Sequence, residues 1–274
     1  MLDVLEVKKA NYYKWLKHEK SKSDLENEEL AEYIKKYDEK FNHTLGYRMM
    51  TDRINRDENK HYNDKQVYKI MHILGIRSIV RPKRKSCTVR KNNNTAKNNL
   101  KREFNASKPN EKWVTDVTEF KYGVGTETAG KIYLSAIIDL CDKRPVSYII
   151  SDHNDNPLVF DTFDYAIKEN PDVHPLFHSD RGYQYTSNDF RQRIVKAGMR
   201  QSMSRVARCI DNGPMEGFWG LMKREMYYTK KYAAKEELIA AIHDYMNYYT
   251  NKRVQRKLEI LTPTEYHKKM MLAA

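Results

Sequence analysis

WVTDVTEF, residues 113–120, sets an aspartate in the middle of an apolar-leaning run that reads as a strand. A carboxylate there is expensive unless something offsets its charge, because an unpaired ion transfers poorly out of water. Two further stretches place acids in a comparable way. PLFHSD (175–180) is a strand ending on Asp180 before the turn RGYQ, and Glu216 follows the DNGP break and opens the amphipathic run MEGFWGLMKREM (215–226). Two carboxylates at strand ends and one on a helix can converge on a pair of Mg²⁺ ions, which prefer a few carboxylate oxygens. A paired-metal site serves phosphodiester chemistry, clamping attacking and leaving oxygens in line. Taken singly, each acid has a plainer reading: a strand-edge carboxylate, a turn opener, a first-turn helix acid.

Around these acids the texture is α/β. TETAG (126–130) reads as a turn, KIYLSAIIDL (131–140) and PVSYII (145–150) as strands separated by DKR, and NPLVFDTFDYAIKEN (156–170) as a helix with Pro157 at its start. TSNDFRQRIVKAG (186–198) is a helix capped by Ser187 and stopped by Gly198, and MRQSMS (199–204) is a fifth strand. Three adjacent strands followed by alternating helices and strands give a mixed five-stranded sheet with flanking helices. Asp139 is read as anchoring the DKR turn, His178 as structural because Mg²⁺ favours oxygen, and Trp113 and Trp219 as core aromatics.

The chain of 274 residues is long enough for a core domain with appendages, and its charge of +13 is unevenly placed. Residues 1–108 carry 26 Lys+Arg against 15 Asp+Glu, and residues 109–274 carry 24 against 22. The stretch 81–108 holds 10 basic residues against Glu103 alone. It has no apolar period and is read as a flexible basic linker whose Arg81, Lys83, Arg84 and Lys85 contact phosphates. Three cysteines without a CxxC argue for a reducing cytoplasm and against a disulfide framework or a zinc module. No signal peptide or membrane span is apparent.

Residues 1–20 form a short N-terminal segment. Residues 21–80 read as three helices: 24–39 with Leu30, Tyr33, Ile34 and Tyr37 on one face, a second from Tyr47, and a third in NDKQVYKIMHILG (63–75). The third has a capping-box spacing at Asn63 and Gln66, an apolar stripe of Val67, Ile70, Met71 and Leu74, and Gly75 as its stop. Lys65, Tyr68, Lys69 and His72 lie off that stripe, as base-reading side chains of a helix-turn-helix would, although a plain helical bundle has the same pattern. The division expected is thus 1–20, 21–80, a linker over 81–108, a catalytic core over 109–226, and C-terminal helices over 227–274. Residues 235–250 form an amphipathic helix, and Thr262, Pro263 and Glu265 start a terminal one.

WVTDVTEF, HSDRGYQYTS (178–187) and SMSRVARCIDNGPMEGFWGLMKREM (202–226) resemble the three blocks of a DDE transposase/integrase core, which has a ribonuclease-H-like fold. Asp180 and Glu216 have 35 residues between them, and Lys223 follows Glu216 by seven positions, matching that pattern. More narrowly the chain resembles the OrfB proteins of the insertion-sequence-three family. LGYRMMTDRIN (45–55) with VYKIMHILGIRS (67–78) looks like that family's second helix-turn-helix region, and YTNKRVQRKLEILTPTEY (249–266) like its C-terminal signature. Ile210 and Gly217 depart from it, where Tyr and Ser are commoner.

The resemblance implies a transposase catalytic subunit in which Asp116, Asp180 and Glu216 hold two Mg²⁺ or Mn²⁺ ions and Lys223 and Arg224 hold phosphates. It implies DNA partners (terminal repeats and target), a homo-oligomer on DNA, and an upstream-frame partner joined by ribosomal frameshifting, with NYYKWL (11–16) as the tail of the bridging region. The rival readings are a catalytically silent DNA-binding remnant or regulator and a ribonuclease-H-type nuclease.

Overall fold

The computed structural model describes residue 13 and residues 20–80, 98–205 and 209–272, and contacts divide the chain after Ile79 into two units. In the first, α1 (Lys22–Lys40), α2 (Tyr47–Asp57) and α3 (Asp64–Ile73) pack around Leu30, Ile34, Tyr37, Met50, Ile54, Val67 and Met71. These are the faces their 3.6-residue periods define. Ser21 and Asp24 make a reciprocal capping box on α1. The box expected on α3 is half formed: Asn63 accepts from the Gln66 backbone, but the Gln66 side chain donates to Asn27 on α1 instead. Gly75 ends the helix at φ 69°, a left-handed conformation that costs glycine nothing.

The second unit is built on one mixed sheet of order β3-β2-β1-β4-β5. β1 (Lys112–Tyr122), β2 (Gly130–Asp139) and β3 (Pro145–Ser151) form an antiparallel meander joined by short turns. Helix α4 (Asn156–Glu169) crosses over to β4 (Leu176–Ser179), which lies parallel to β1. The short α5 (Tyr183–Thr186) and α6 (Asn188–Lys196) lead to β5 (Arg200–Met203), parallel to β4. Parallel neighbours need such crossovers, which is why helices appear only after β3.

Each sheet face has its own core. Trp113, Ile137 and Phe177 meet Val159, Phe160 and Phe163 of α4 and Phe190 and Ile194 of α6. On the other face Val114, Phe120, Ile132, Leu134 and Ala136 are covered by α7 (Gly213–Met222), the π-helical turn Lys223–Tyr227 and α8 (Lys235–Asn251). The terminal helix α9 (Pro263–Leu272) starts on the expected box, Thr262 and Glu265 each accepting the other's backbone N–H.

Two boundaries differ from the expectation. Leu238, Ile242, Tyr245, Met246 and Tyr249 of α8 share one core with the sheet, so the C-terminal helices are a layer of the core rather than an appendage. Residues 98–108 are not tether either. Leu100 is fully buried against the sheet, and the Asn99 and Leu100 N–H groups both donate to the Ser202 hydroxyl. A composition rich in Lys and Asn hides the one leucine that docks the segment.

Candidate active site on the carboxylate-bearing sheet face

The β1–β4 register decides which acids meet. Val114 lies opposite His178 in parallel pairing, and the chain two residues on, just past the end of β4, brings Asp180 close enough for its charge to act on Asp116 of β1. β4 ends at Ser179, and where it leaves off the Asn212 side-chain amide donates to the Thr115 carbonyl. Opposite Asp116 on β2 stands Ala136, whose small side chain leaves room for the carboxylate. Gly182 N–H donates to Asp180 Oδ1 at 2.8 Å, fixing that carboxylate at the head of the turn.

Glu216 sits in the first turn of α7. That helix is pressed to the sheet by Met215, Phe218, Trp219 and Met222, a spacing of three, four and seven that makes one apolar stripe. Trp219, three residues on from Glu216 and thus on the neighbouring position of the same face, donates its indole N–H to Asp116 Oδ2 at 3.1 Å. Trp219 is therefore more than the core aromatic expected. An indole N–H that must find an acceptor when buried was the available signal.

The electrostatics are those of acids crowded together at half-buried positions. Burial, then the Asp180 charge and to a smaller degree that of Glu216, push the Asp116 carboxyl up to about 8, against the pull of the Val117 and Trp219 N–H groups. Burial also raises Asp180, opposed by the Gly182 N–H. No ammonium or guanidinium hydrogen-bonds Asp116 among the described residues. The donor set is all oxygen, which suits a hard divalent cation. Among the described residues, no three His, Cys, Asp or Glu groups already stand at ligand spacing.

Of the other expected residues, Lys223 follows α7 with its ammonium 5.1 Å from the Phe120 ring centroid, and burial lowers its pKa while Asp116 and Glu119 oppose the change. Arg224 lies half-buried beside Gly220. Lys65 and Lys69 are exposed on α3 and line a groove with Asp24 and Glu28 of α1 in the first unit. Arg81, Lys83, Arg84 and Lys85 lie outside the described residues. His178 is fully buried with both ring nitrogens on the Ser202 and Ser204 hydroxyls, and burial lowers it to about 4. Asp139 accepts from the Asn110 and Cys141 backbone and anchors its turn.

A mixed sheet of this order with acids on β1, just past the carboxyl end of β4 and on α7 after β5 defines an integrase-type, ribonuclease-H-like core. Models described as integrase core domain match residues 106–209 and 216–271, and one described as HTH-like domain matches 24–84. The InsK protein of insertion sequence element IS150 from Escherichia coli (strain K12) is 39% identical over 81% of this chain and 76% of its own length. The 31 kDa protein of insertion element IS600 from Shigella sonnei is 30% identical over 98% of each. The transposase for IS904 from Lactococcus lactis is 31% identical over 75% of this chain and 81% of its own. A cryoEM structure of the simian T-cell lymphotropic virus intasome with a PP2A regulatory subunit has TM-score 0.50 at 15% identity, over 81% of this chain and 70% of that one, a likeness of fold alone. The chain belongs to the IS3 family of insertion-sequence transposases, proteins of DNA transposition.

Proposed function

We propose that this chain is the catalytic subunit that cuts transposon ends and joins the freed 3′-OH to a second DNA strand. The observation that carries this reading is the placement of Asp116 beside Asp180, under Glu216, with no cationic side chain bonded to it. Asp116, Asp180 and Glu216 would hold two Mg²⁺ or Mn²⁺ ions, which when bound supply charge stabilisation to the attacking and leaving oxygens of an in-line displacement. Trp219 holds the Asp116 carboxylate by its Oδ2, and the Gly182 N–H holds that of Asp180. The buried stripe of α7 keeps Glu216 over the sheet, and Lys223 supplies positive charge near Asp116.

In the first step a water oxygen attacks phosphorus and the 3′ oxygen leaves as a hydroxyl. In the second the oxygen of that hydroxyl attacks the phosphorus of a phosphodiester in another strand, whose own 3′ oxygen leaves and takes up the proton as a hydroxyl. Neither step needs a covalent enzyme intermediate.

The basic residues Arg81, Lys83, Arg84 and Lys85 and Arg224 would hold phosphates, and Lys65 and Lys69 on α3 would read base edges of the terminal repeats in a major groove. The protein would work in the cytoplasm as a homo-oligomer on DNA, with an upstream-frame product as a fusion partner. The test is an assay with labelled transposon-end duplexes that scores joined products separately from cut ones. Joining dependent on Mg²⁺ or Mn²⁺ is the expected result. Cutting without joining would favour a plain nuclease, and binding without either a silent DNA-binding protein. In the same assay Lys65→Ala with Lys69→Ala should reduce discrimination between ends and random DNA.

A further inference from the structure

Asp211 is fully buried, yet its carboxylate takes five hydrogen bonds. They come from the Asn98 amide, Arg102 Nε, and the backbone N–H, Nε and Nη2 of Arg205. One guanidinium would neutralise it, and here there are two. A third lies beside them: Arg181 donates from Nε to the carbonyl of Ser204, the residue before Arg205, at 2.6 Å. Ser204 in turn donates its N–H to the Ser179 carbonyl, which brings the group to the carboxyl ends of β4 and β5, next to Asp180.

Two guanidiniums thus share one carboxylate, and a third is fixed beside them on the Ser204 carbonyl. The Arg102 and Arg205 side chains are 39% and 53% exposed while Asp211 is 0% exposed, so the acid sits beneath and the cations reach solvent. Arg102 and Arg181 each use only Nε, and their terminal nitrogens have no hydrogen-bond partner among the described residues. Forks of this kind, fixed at one edge and free at the other, match phosphate oxygens.

We propose that Arg102, Arg181 and Arg205 form a phosphate cradle for the DNA backbone beside the carboxylate site, with Asp211 as the positioning residue that orients two of the three. This rests on DNA being the substrate but not on cutting or joining. Arg102 comes from the docked end of the basic segment, Arg181 is the residue after Asp180, and Arg205 stands two residues past the end of β5. The cradle therefore ties the incoming strand to the end of β4 and, through Asp211, to the start of α7. Hydrogen bonding to Arg205, above all, holds the Asp211 carboxyl below the ordinary carboxylate range, so it stays charged as an orienting group must.

The test is metal-free binding of a fluorescein-labelled, mixed-sequence duplex, followed by anisotropy across a range of NaCl. Arg181→Gln leaves the Asp211 bonds intact and should weaken binding by up to about tenfold, with a salt slope shallower by about 1. Asp211→Asn removes a negative charge, which in a diffuse field would tighten binding; here it should weaken it. Lys121→Gln with Lys131→Gln, at the far end of β1 and β2, should leave the slope unchanged.

An unaltered slope in Arg181→Gln overturns the cradle, as does tighter binding by folded Asp211→Asn or an equal loss in the lysine control. If Asp211→Asn does not fold, Arg181→Gln and the control decide alone. Inorganic phosphate at matched ionic strength should not compete with the duplex, and competition would make this a free-anion site and sink the DNA assignment. Because no metal is present, a failure to cut or join DNA leaves these outcomes unchanged.

Discussion

Asp116, half-buried, and Asp211, fully buried, are two carboxylates of one unit whose acidities move in opposite directions. Asp116 is pushed up to about 8 by burial first and then by the Asp180 and Glu216 charges, against one indole and one backbone N–H. Asp211, the more deeply buried by its exposed area, is driven below the usual carboxylate range by Arg205 and Arg102. Burial raises both carboxyls: at Asp116 it is the largest influence and the neighbouring acids add to it, whereas at Asp211 the arginine hydrogen bonds outweigh it. Asp211 has its cations built in and is finished as a structural ion. Asp116 is held without one, which weakens the fold locally and is the condition under which a cation from outside binds with most effect.

The largest effect expected from that contrast is on chemistry. Asp116→Asn, Asp180→Asn or Glu216→Gln should each lower end cleavage by about a thousandfold or more, since the charge meant for the metal is gone, while duplex affinity stays within about twofold. An active variant among the three would remove that residue from the site.

Stability should split the two acids next. In metal-free buffer at pH 8 or above, Asp116→Asn should stabilise the protein by on the order of a few kcal/mol, whereas Asp211→Asn should cost about 2 kcal/mol, discounted because both arginines reach solvent. The pH windows are opposite as well. The folded protein holds a proton on Asp116 between its ordinary value of 3.8 and about 8, so stability falls as pH rises through that window. The gain in Asp116→Asn should thus vanish below about pH 4. Asp211 is depressed in the fold, so its contribution is complete above the ordinary carboxylate value and is lost as pH falls through the folded one. Denaturant midpoints measured across pH would show crossing curves; parallel curves would contradict the assignment.

Saturating Mg²⁺ should restore about 2 kcal/mol to the wild type at pH 8 and little to Asp116→Asn, read as a shift in melting temperature. The smallest effect lies outside the comparison and calibrates it. Thr262→Ala removes one side of the α9 capping box and should cost about 1 kcal/mol without altering either pH window.

Much of this was legible along the chain. The strands and helices carry their periods, and the acids stand out because WVTDVTEF and PLFHSD are otherwise apolar. The Thr262–Glu265 box could be read because both partners lie within one helical turn. The Asn63–Gln66 box was legible only in half, because Gln66 was captured by Asn27, 39 residues away. Residues 98–108 have the composition of a linker, because their many polar residues mask the burial of Leu100.

The sequence by itself determined which residues are acidic, the spacing between them, and the local elements that carry them, since these depend on neighbours within a few positions. Only the tertiary structure decided that Trp219 bonds Asp116 across 103 positions, that Arg102 reaches Asp211 across 109, and that Asp116 stands beside Asp180. Such pairs are set by strand register and helix packing. They leave no local period, because a side chain's partner through space is fixed by the whole fold and not by its neighbours in the chain.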